Sequence, residues 1–217
     1  MSVIFCNFLN AQQNISIDAP NVSYSGLSLL QCTNGTGIGG YWEKTLNVSN
    51  RIGAKAALIF LKGEDEYPIY NYYTGMYYES PNKKRLSFLP LYLSYKKMLF
   101  TDQIANNFRP FLSLQGGPLI ALDPPNIQKF SDRIKRITTE YTFSTRAGAG
   151  IEFLYGRGTI ISLFVGYDMI RFKDYIDETK EVIDFTLMEV YEDKGKKVYS
   201  GLVVSISFGR QKSRYKK

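Results

Sequence analysis

The feature that most constrains this chain is a two-residue alternation of apolar side chains with polar or small ones, sustained over segments longer than ten residues. In the segment 141–155, the odd positions are mostly aromatic or aliphatic, whereas the even positions, apart from Leu154, hold glycine, hydroxyl and charged residues. The segments 159–172 and 198–210 alternate in the same way. Successive side chains of a β-strand point to opposite faces, so this pattern predicts long strands that each have one apolar face.

The spacing of the alternating segments predicts how many strands there are. Seven segments show the pattern: 35–46, 51–62, 85–98, 107–122, 141–155, 159–172 and 198–210. Short links follow residues 46, 98 and 155, and long links follow residues 62, 122 and 173. Membrane barrels have an even strand number, with short turns at one end and long loops at the other, so 21–32 is predicted as an eighth strand. The fold class is therefore all-β: a single up-and-down antiparallel transmembrane β-barrel of about eight strands with long external loops.

Strand length favours a membrane barrel over a soluble one. The segments exceed the usual five or six residues of globular strands and match the 9–11 that cross a bilayer at a tilt. No run of about 18 apolar residues is present, so a membrane-spanning chain of this kind has to be a closed barrel. Alternation alone also fits a secreted, lipocalin-like barrel that binds an apolar ligand, in which Ile151, Phe153 and Val165 would line the cavity.

If the apolar faces contact lipid, the charged residues of the strands point into the lumen. These residues are Glu43, Lys55, Lys96, Arg109, Arg146, Glu152 and Asp168. Buried charge is costly unless it is paired, and an eight-stranded barrel is just wide enough for side chains to fill. We therefore predict a lumen that is plugged by a network of salt bridges. A narrow passive, porin-like channel is the alternative.

Three long links have distinct compositions. The first, 64–84, contains a tyrosine cluster: Tyr67, Tyr70, Tyr72, Tyr73, Tyr77 and Tyr78. Tyrosine offers rigid amphipathic contact area, so the cluster is interpreted either as a surface for interaction or as an interfacial girdle. The second link, 123–137, has apolar residues at helical spacing among basic ones, and 174–193 is predicted to extend two strands into an external hairpin.

The chain ends are predicted to lie outside the barrel. Residues 1–13 combine an apolar run with the small residue Ala11, which indicates a truncated remnant of a secretory signal peptide; a frayed apolar terminus is the alternative. The barrel is assigned to 14–210 and a basic tail to 211–217. Of the two cysteines, Cys6 falls in the predicted signal segment, and Cys32 is interpreted as a structural thiol.

The residue inventory favours a protein without enzymatic activity and without a cofactor. The sequence has no histidine, and no spacing indicates a nucleophile with its base or a metal site. Glu64, Asp65 and Glu66 are the nearest candidates for calcium ligands. The formal charge of +7 is scattered along the chain apart from the tail, which argues against nucleic-acid binding.

Four segments carry a resemblance to a known family. The segments 86–97, with an internal proline, and 108–118, which closes on Gly-Gly-Pro, together with 147–150 and 201–208, resemble the outer-membrane β-barrel domain family of small bacterial barrels. The resemblance implies a bacterial outer-membrane location, contact with outer-membrane lipid, insertion by the barrel-assembly machinery and an external surface partner or ligand. Barrels of this kind commonly end on an aromatic residue, whereas here Phe208 is followed by nine further residues.

Overall fold

The protein is a closed, all-β barrel. The computed structural model describes residues 22–62, 69–71, 74–78, 86–101, 107–123, 137–155, 158–176, 179–184, 189–193 and 196–213. The strands are β1 (Val22–Cys32), β2 (Gly35–Asn47), β3 (Asn50–Leu61), β4 (Ile69–Asn71), β5 (Met76–Tyr78), β6 (Ser87–Met98), β7 (Phe108–Asp123), β8 (Thr138–Tyr155), β9 (Thr159–Ile176), β10 (Thr179–Asp184), β11 (Glu189–Asp193) and β12 (Lys196–Ser213).

Eight of these strands close into one antiparallel sheet in the order β1-β12-β9-β8-β7-β6-β3-β2. Strands β1 and β12 complete the ring, from Val22 opposite Ser213 to Cys32 opposite Val203. Closure leaves the sheet without an edge, which is why its backbone groups can all be satisfied inside the sheet. The predicted fold class is confirmed, and the strand that connection lengths required at 21–32 is β1.

The two ends of the barrel differ in their connections. Strands β2, β6 and β8 end at one rim of the barrel, which we call the turn end. Strands β3, β7 and β9 end at the opposite rim, which we call the loop end. The β8–β9 turn contains Gly158, whose φ of +93° is a conformation that L side chains rarely adopt. The Gly158 carbonyl accepts a hydrogen bond from the Gln211 amide at 2.7 Å, which ties this turn to β12. At the loop end, the Thr33 amide donates to the Leu202 carbonyl at 2.9 Å.

Two small hairpins stand outside the barrel sheet in the long connections. Strands β4 and β5 pair with each other, and so do β10 and β11. The second pair lies within 174–193, where the sequence predicted an external hairpin. Several barrel strands are longer than predicted; β12 continues to Ser213, so the first three residues of the predicted basic tail belong to the sheet.

The alternation of the sequence becomes the inner and outer faces of the barrel. Odd-numbered residues of β8 such as Tyr141 and Phe143 lie on the outer wall with exposed side chains, whereas Ser144, Arg146 and Glu152 are buried in the lumen. A side-chain period of two makes this assignment strict along each strand.

Several predictions fall on residues outside the described part of the chain. These are the signal segment with Cys6, the candidate calcium ligands Glu64, Asp65 and Glu66, most of the basic segment 123–137 and the end of the basic tail. Among the described residues, no helix has the length and apolar character needed to cross a membrane.

Candidate functional site in the barrel lumen

A network of buried ion pairs occupies the lumen toward the turn end. Glu152, at 2% exposure, accepts hydrogen bonds from Arg51 Nη1 at 2.7 Å and from Lys96 Nζ at 2.6 Å. Lys96 also donates to Glu43 Oε2 at 2.8 Å, and Lys55 lies 3.6 Å from Glu43 Oε1. These five residues come from β2, β3, β6 and β8, so the network links non-adjacent walls of the barrel through its interior.

A second pair of charges lies near mid-barrel. Arg146 and Asp168 oppose each other on β8 and β9, and the guanidinium donates to both carboxylate oxygens, with Nη2 at 2.6 Å from Oδ2. Such a bidentate pair fixes the orientation of both side chains. The guanidinium also lies 5.1 Å from the centre of the Tyr92 ring, and the Tyr92 hydroxyl is 2.7 Å from Ser144 Oγ.

Aromatic rings lie beside the charged groups. The rings of Phe111 and Phe164 lie nearly parallel, with centroids 6.4 Å apart, and Lys96 Nζ is 4.5 Å from the centre of the Phe111 ring. A Cβ added to Gly148 would come within 2.8 Å of Phe164, and Gly150 is crowded in the same way by Phe111. The glycines of β8 therefore give these two rings the room to lie against the inner wall.

Apolar layers close both ends of the lumen. Toward the loop end, Phe88, Phe172 and Tyr199 form a cluster with ring centroids 5.2–5.9 Å apart. Toward the turn end, a second apolar cluster surrounds Tyr24 and Leu154. The Arg51 guanidinium lies 4.0 Å from the centre of the Tyr24 ring. This contact joins the apolar cluster to the network of ion pairs. The lumen is thus filled by alternating apolar and charged layers.

The structure groups the sequence-predicted lumen residues unequally. Glu43, Lys55, Lys96 and Glu152 meet in the network, and Arg146 and Asp168 form their own pair. The seventh residue, Arg109, is half-buried and lies opposite Glu152 in the β7–β8 register.

Arg51 was not predicted as a lumen residue, although it is 3% exposed and pairs with Glu152. Arg51 and Lys55 are four residues apart on β3 and therefore lie on the same face, so the alternation could have placed Arg51 in the lumen. Because Arg51 lies next to the β2–β3 turn, the pattern predicts it only as the residue that begins the strand. The apolar layers were missed as well, because large inward residues such as Phe88 and Phe172 interrupt the simple contrast between an apolar outer face and a polar inner one.

The tyrosine cluster is described only in part. Tyr70 of β4 and Tyr77 of β5 are exposed, and their ring centroids are 5.0 Å apart. Tyr67, Tyr72 and Tyr73 lie outside the described residues, as does the side chain of Tyr78. Within the described part of the chain, no three His, Cys, Asp or Glu residues are grouped so that they could hold a metal ion.

The outer wall excludes the arrangement that a lipocalin-like carrier requires. Phe153 and Val165, which would have to line an internal cavity, lie on the outside, and Val165 is 54% exposed. The wall around the barrel carries many other large apolar side chains; Leu93, Tyr141, Leu27 and Leu202 are each more than 60% exposed. The soluble-carrier alternative is therefore wrong about which face is internal.

The barrel is similar to known proteins in structure and not in sequence. No protein-family model matches the sequence, and no curated protein matches it. Neisserial surface protein A (NspA) matches over 89% of this chain and 97% of its own, with a TM-score of 0.52 and 8% identity. The N-terminal β-barrel domain of Pseudomonas aeruginosa OprF matches over 90% and 99%, with a TM-score of 0.48 and 9% identity. The attachment invasion locus protein Ail of Yersinia pestis matches over 89% and 100%, with a TM-score of 0.45 and 10% identity. The strand order and the likeness to NspA show that the chain has the closed eight-stranded barrel fold of small outer-membrane proteins.

Proposed function

We propose that this chain is a bacterial outer-membrane protein that neither conducts nor catalyses and that acts through the hairpins and loops at its loop end. The single observation that carries the proposal is the polarity of the barrel, which is apolar on the outside and charged on the inside. A soluble protein buries its apolar surface and rarely exposes a continuous apolar patch beyond a few hundred Å². A bilayer is the solvent that suits an apolar wall of this kind.

The filling of the lumen supports a closed barrel over a passive channel. An ion entering from the loop end would meet the Phe88, Phe172 and Tyr199 rings before it reached the first charged pair. Below them, Arg146 is held by Asp168 and Lys96 is held between two carboxylates. A path for ions through the lumen would require ion pairs and ring contacts to break together, because the aromatic and charged layers lie directly against one another.

The same contacts support a role without chemical turnover. The Ser144 hydroxyl is engaged by Tyr92, and the buried carboxylates of Glu43, Glu152 and Asp168 are engaged in ion pairs. A general base or nucleophile has to reach a substrate from a cleft, whereas these groups are enclosed in the lumen.

The loop end offers the surface for interaction. In the β4–β5 hairpin, Tyr70, Met76 and Tyr77 are exposed, and the two tyrosine rings pack against each other outside the barrel. Paired exposed tyrosines present flat amphipathic area on which a sugar ring or an aromatic side chain can stack. We assign the partner to the extracellular side and the insertion of the barrel to the assembly machinery of the outer membrane.

The experiment that tests membrane insertion and closure combines three measurements. Cells expressing the chain behind a complete signal sequence are fractionated, the extracted protein is run boiled and unboiled, and the purified barrel is placed in a planar bilayer. We expect an outer-membrane pellet, a shifted unboiled band, and no current steps above those of lipid alone. A soluble protein with one gel position would overturn the membrane assignment, and regular current steps would establish the channel alternative.

The interaction surface has its own test. Cells that display the double variant Tyr70→Ser/Tyr77→Ser are compared with wild-type cells on an array of immobilised oligosaccharides. Tyr155→Ser is the matched control, because Tyr155 is 73% exposed but lies at the turn end. We expect the double variant alone to lose binding. Equal binding by wild type, variant and control would contradict the assignment of the hairpin as a glycan-binding surface.

A further inference from the structure

The outer wall of the barrel is not uniformly convex. A groove of about 610 Å³ crosses strands β2, β3, β6, β7 and β8. Its lining is apolar and includes Trp42, Ala54, Leu93, Tyr95, Gly116 and Phe143. This volume falls within the range of about 300–1,000 Å³ that is typical of sites for a single small ligand.

The groove arises from one row of side chains that runs across the strands. Trp42 lies opposite Ala54, Ala54 opposite Leu93, and Leu93 opposite Gly116. The small residues Ala54 and Gly116 leave low positions on either side of Leu93, which is 75% exposed, and Trp42 and Phe143 stand at the two borders of the groove. Phe143 leans over Gly116, since a Cβ added to that glycine would lie 3.5 Å from Phe143 Cζ.

Two exposed lysines lie at the turn end of this groove. Lys44 on β2 follows Trp42 by two residues on the same face and lies opposite Ile52, which also lines the groove. Lys97 on β6 follows Tyr95 by two residues in the same manner. The Tyr95 hydroxyl donates to Asn50 Oδ1 at 2.5 Å, which fixes the ring between the groove and the lysines.

We infer that the groove binds one anionic glycerophospholipid of the periplasmic leaflet, with an acyl chain along the apolar row and the phosphate headgroup at Lys44 and Lys97. The inference rests on the proposed function, which places the turn end at the periplasmic face. Apolar area suits an acyl chain and basic residues at the interface attract anionic headgroups, so the two parts of the surface match the two parts of such a lipid.

A second copy of this chain fits the groove less well. A symmetric dimer would place the same concave surface on both sides of the interface, so the two floors would face each other across a void. The two lysine pairs would also be brought into the interface, where like charges repel. A flexible acyl chain meets neither obstacle.

Trp42 makes the test direct, because it is the only tryptophan in the sequence and it lines the groove. The full chain is folded into phosphatidylcholine vesicles, and insertion is verified by the shift of the unboiled band. Tryptophan fluorescence is then quenched with brominated phosphatidylglycerol or with brominated phosphatidylcholine at equal mole fraction. Failure to insert would count against the proposed function, whereas the quenching measurement applies only to inserted protein.

We expect phosphatidylglycerol to occupy the site more tightly than phosphatidylcholine, by about fivefold for each lysine that contacts the headgroup. The double variant Lys44→Gln/Lys97→Gln should lose this preference. The matched control is Lys62→Gln/Lys173→Gln, since both residues are exposed but lie at the loop end, and this control should retain the preference. Gly116→Leu should reduce quenching by both lipids because it fills the floor.

Three results would overturn the inference. The first is equal quenching of wild-type protein by both lipids. The second is an unchanged preference in the lysine variant. The third is protection of Trp42 from both lipids together with a cross-linked dimer, which would show that a second copy covers the groove instead.

Discussion

Replacing Glu152 by glutamine should destabilise the barrel, because this one carboxylate pairs with two buried cations. The carboxylate is 2% exposed and receives hydrogen bonds from both Arg51 and Lys96. Glutamine preserves the size of the side chain but removes the charge that holds two cations. The network of three cations and two carboxylates would then keep three cations against one carboxylate in a space closed by apolar layers.

The magnitude follows from the burial of these partners. Removing one member of a buried ion pair costs about 3–5 kcal/mol, because the remaining charge stays buried without compensation. The glutamine carbonyl still accepts one hydrogen bond, and Lys96 keeps its contact with Glu43, so we expect the lower value. A loss of about 3 kcal/mol corresponds to roughly a hundredfold change in the equilibrium constant for unfolding.

The assay is a reversible urea titration of the barrel in vesicles, followed by Trp42 fluorescence and by the shift of the unboiled band. Asp174→Asn is the matched control, because it removes the same charge from an exposed position on β9 and should change stability by no more than about 0.5 kcal/mol. A double-mutant cycle with Arg51→Gln isolates the pair, and we expect a coupling energy of about 2 kcal/mol.

One combination of results would show that the charges in the lumen are not packed together. If Glu152→Gln were as stable as Asp174→Asn and its coupling to Arg51 were close to zero, the charges would be solvated rather than packed. The lumen would then have to contain water along this layer, and the passive-channel alternative would regain support.

Three further perturbations test other parts of the lumen and the wall. Gly150→Val should destabilise the barrel by about 1–3 kcal/mol in urea titration because the added methyl groups collide with the Phe111 ring, whereas the outward Ala149→Val should not. Phe88→Ala should cost about 3–5 kcal/mol by the same assay, yet planar-bilayer recordings should still show no current because the charged layers remain. Val165→Arg on the outer wall should cost about 2–4 kcal/mol in vesicles, and the absence of a cost would contradict the lipid-facing assignment.

The sequence by itself determined the strands and the two faces of the wall. The alternation in β8 and β9 assigned Phe143 and Val165 to one face and Arg146 and Asp168 to the other, because the side-chain period of a strand is two. The lengths of the connections also predicted a strand at 21–32, where the alternation of apolar and polar residues is weak. These conclusions depend on neighbours along the chain, which is the information that a sequence displays directly.

The tertiary structure alone decided which inward residues meet. Arg51 and Glu152 are 101 residues apart, and they pair only because closure of the ring brings β3 and β8 to the same height in the lumen. The register of neighbouring strands places Phe111 and Phe164 over the glycines of β8 and puts Trp42, Ala54, Leu93 and Gly116 in one row. Alternation determines whether each side chain points inward or outward. It does not determine at which level along the barrel axis the side chain lies, because that level depends on the register between strands.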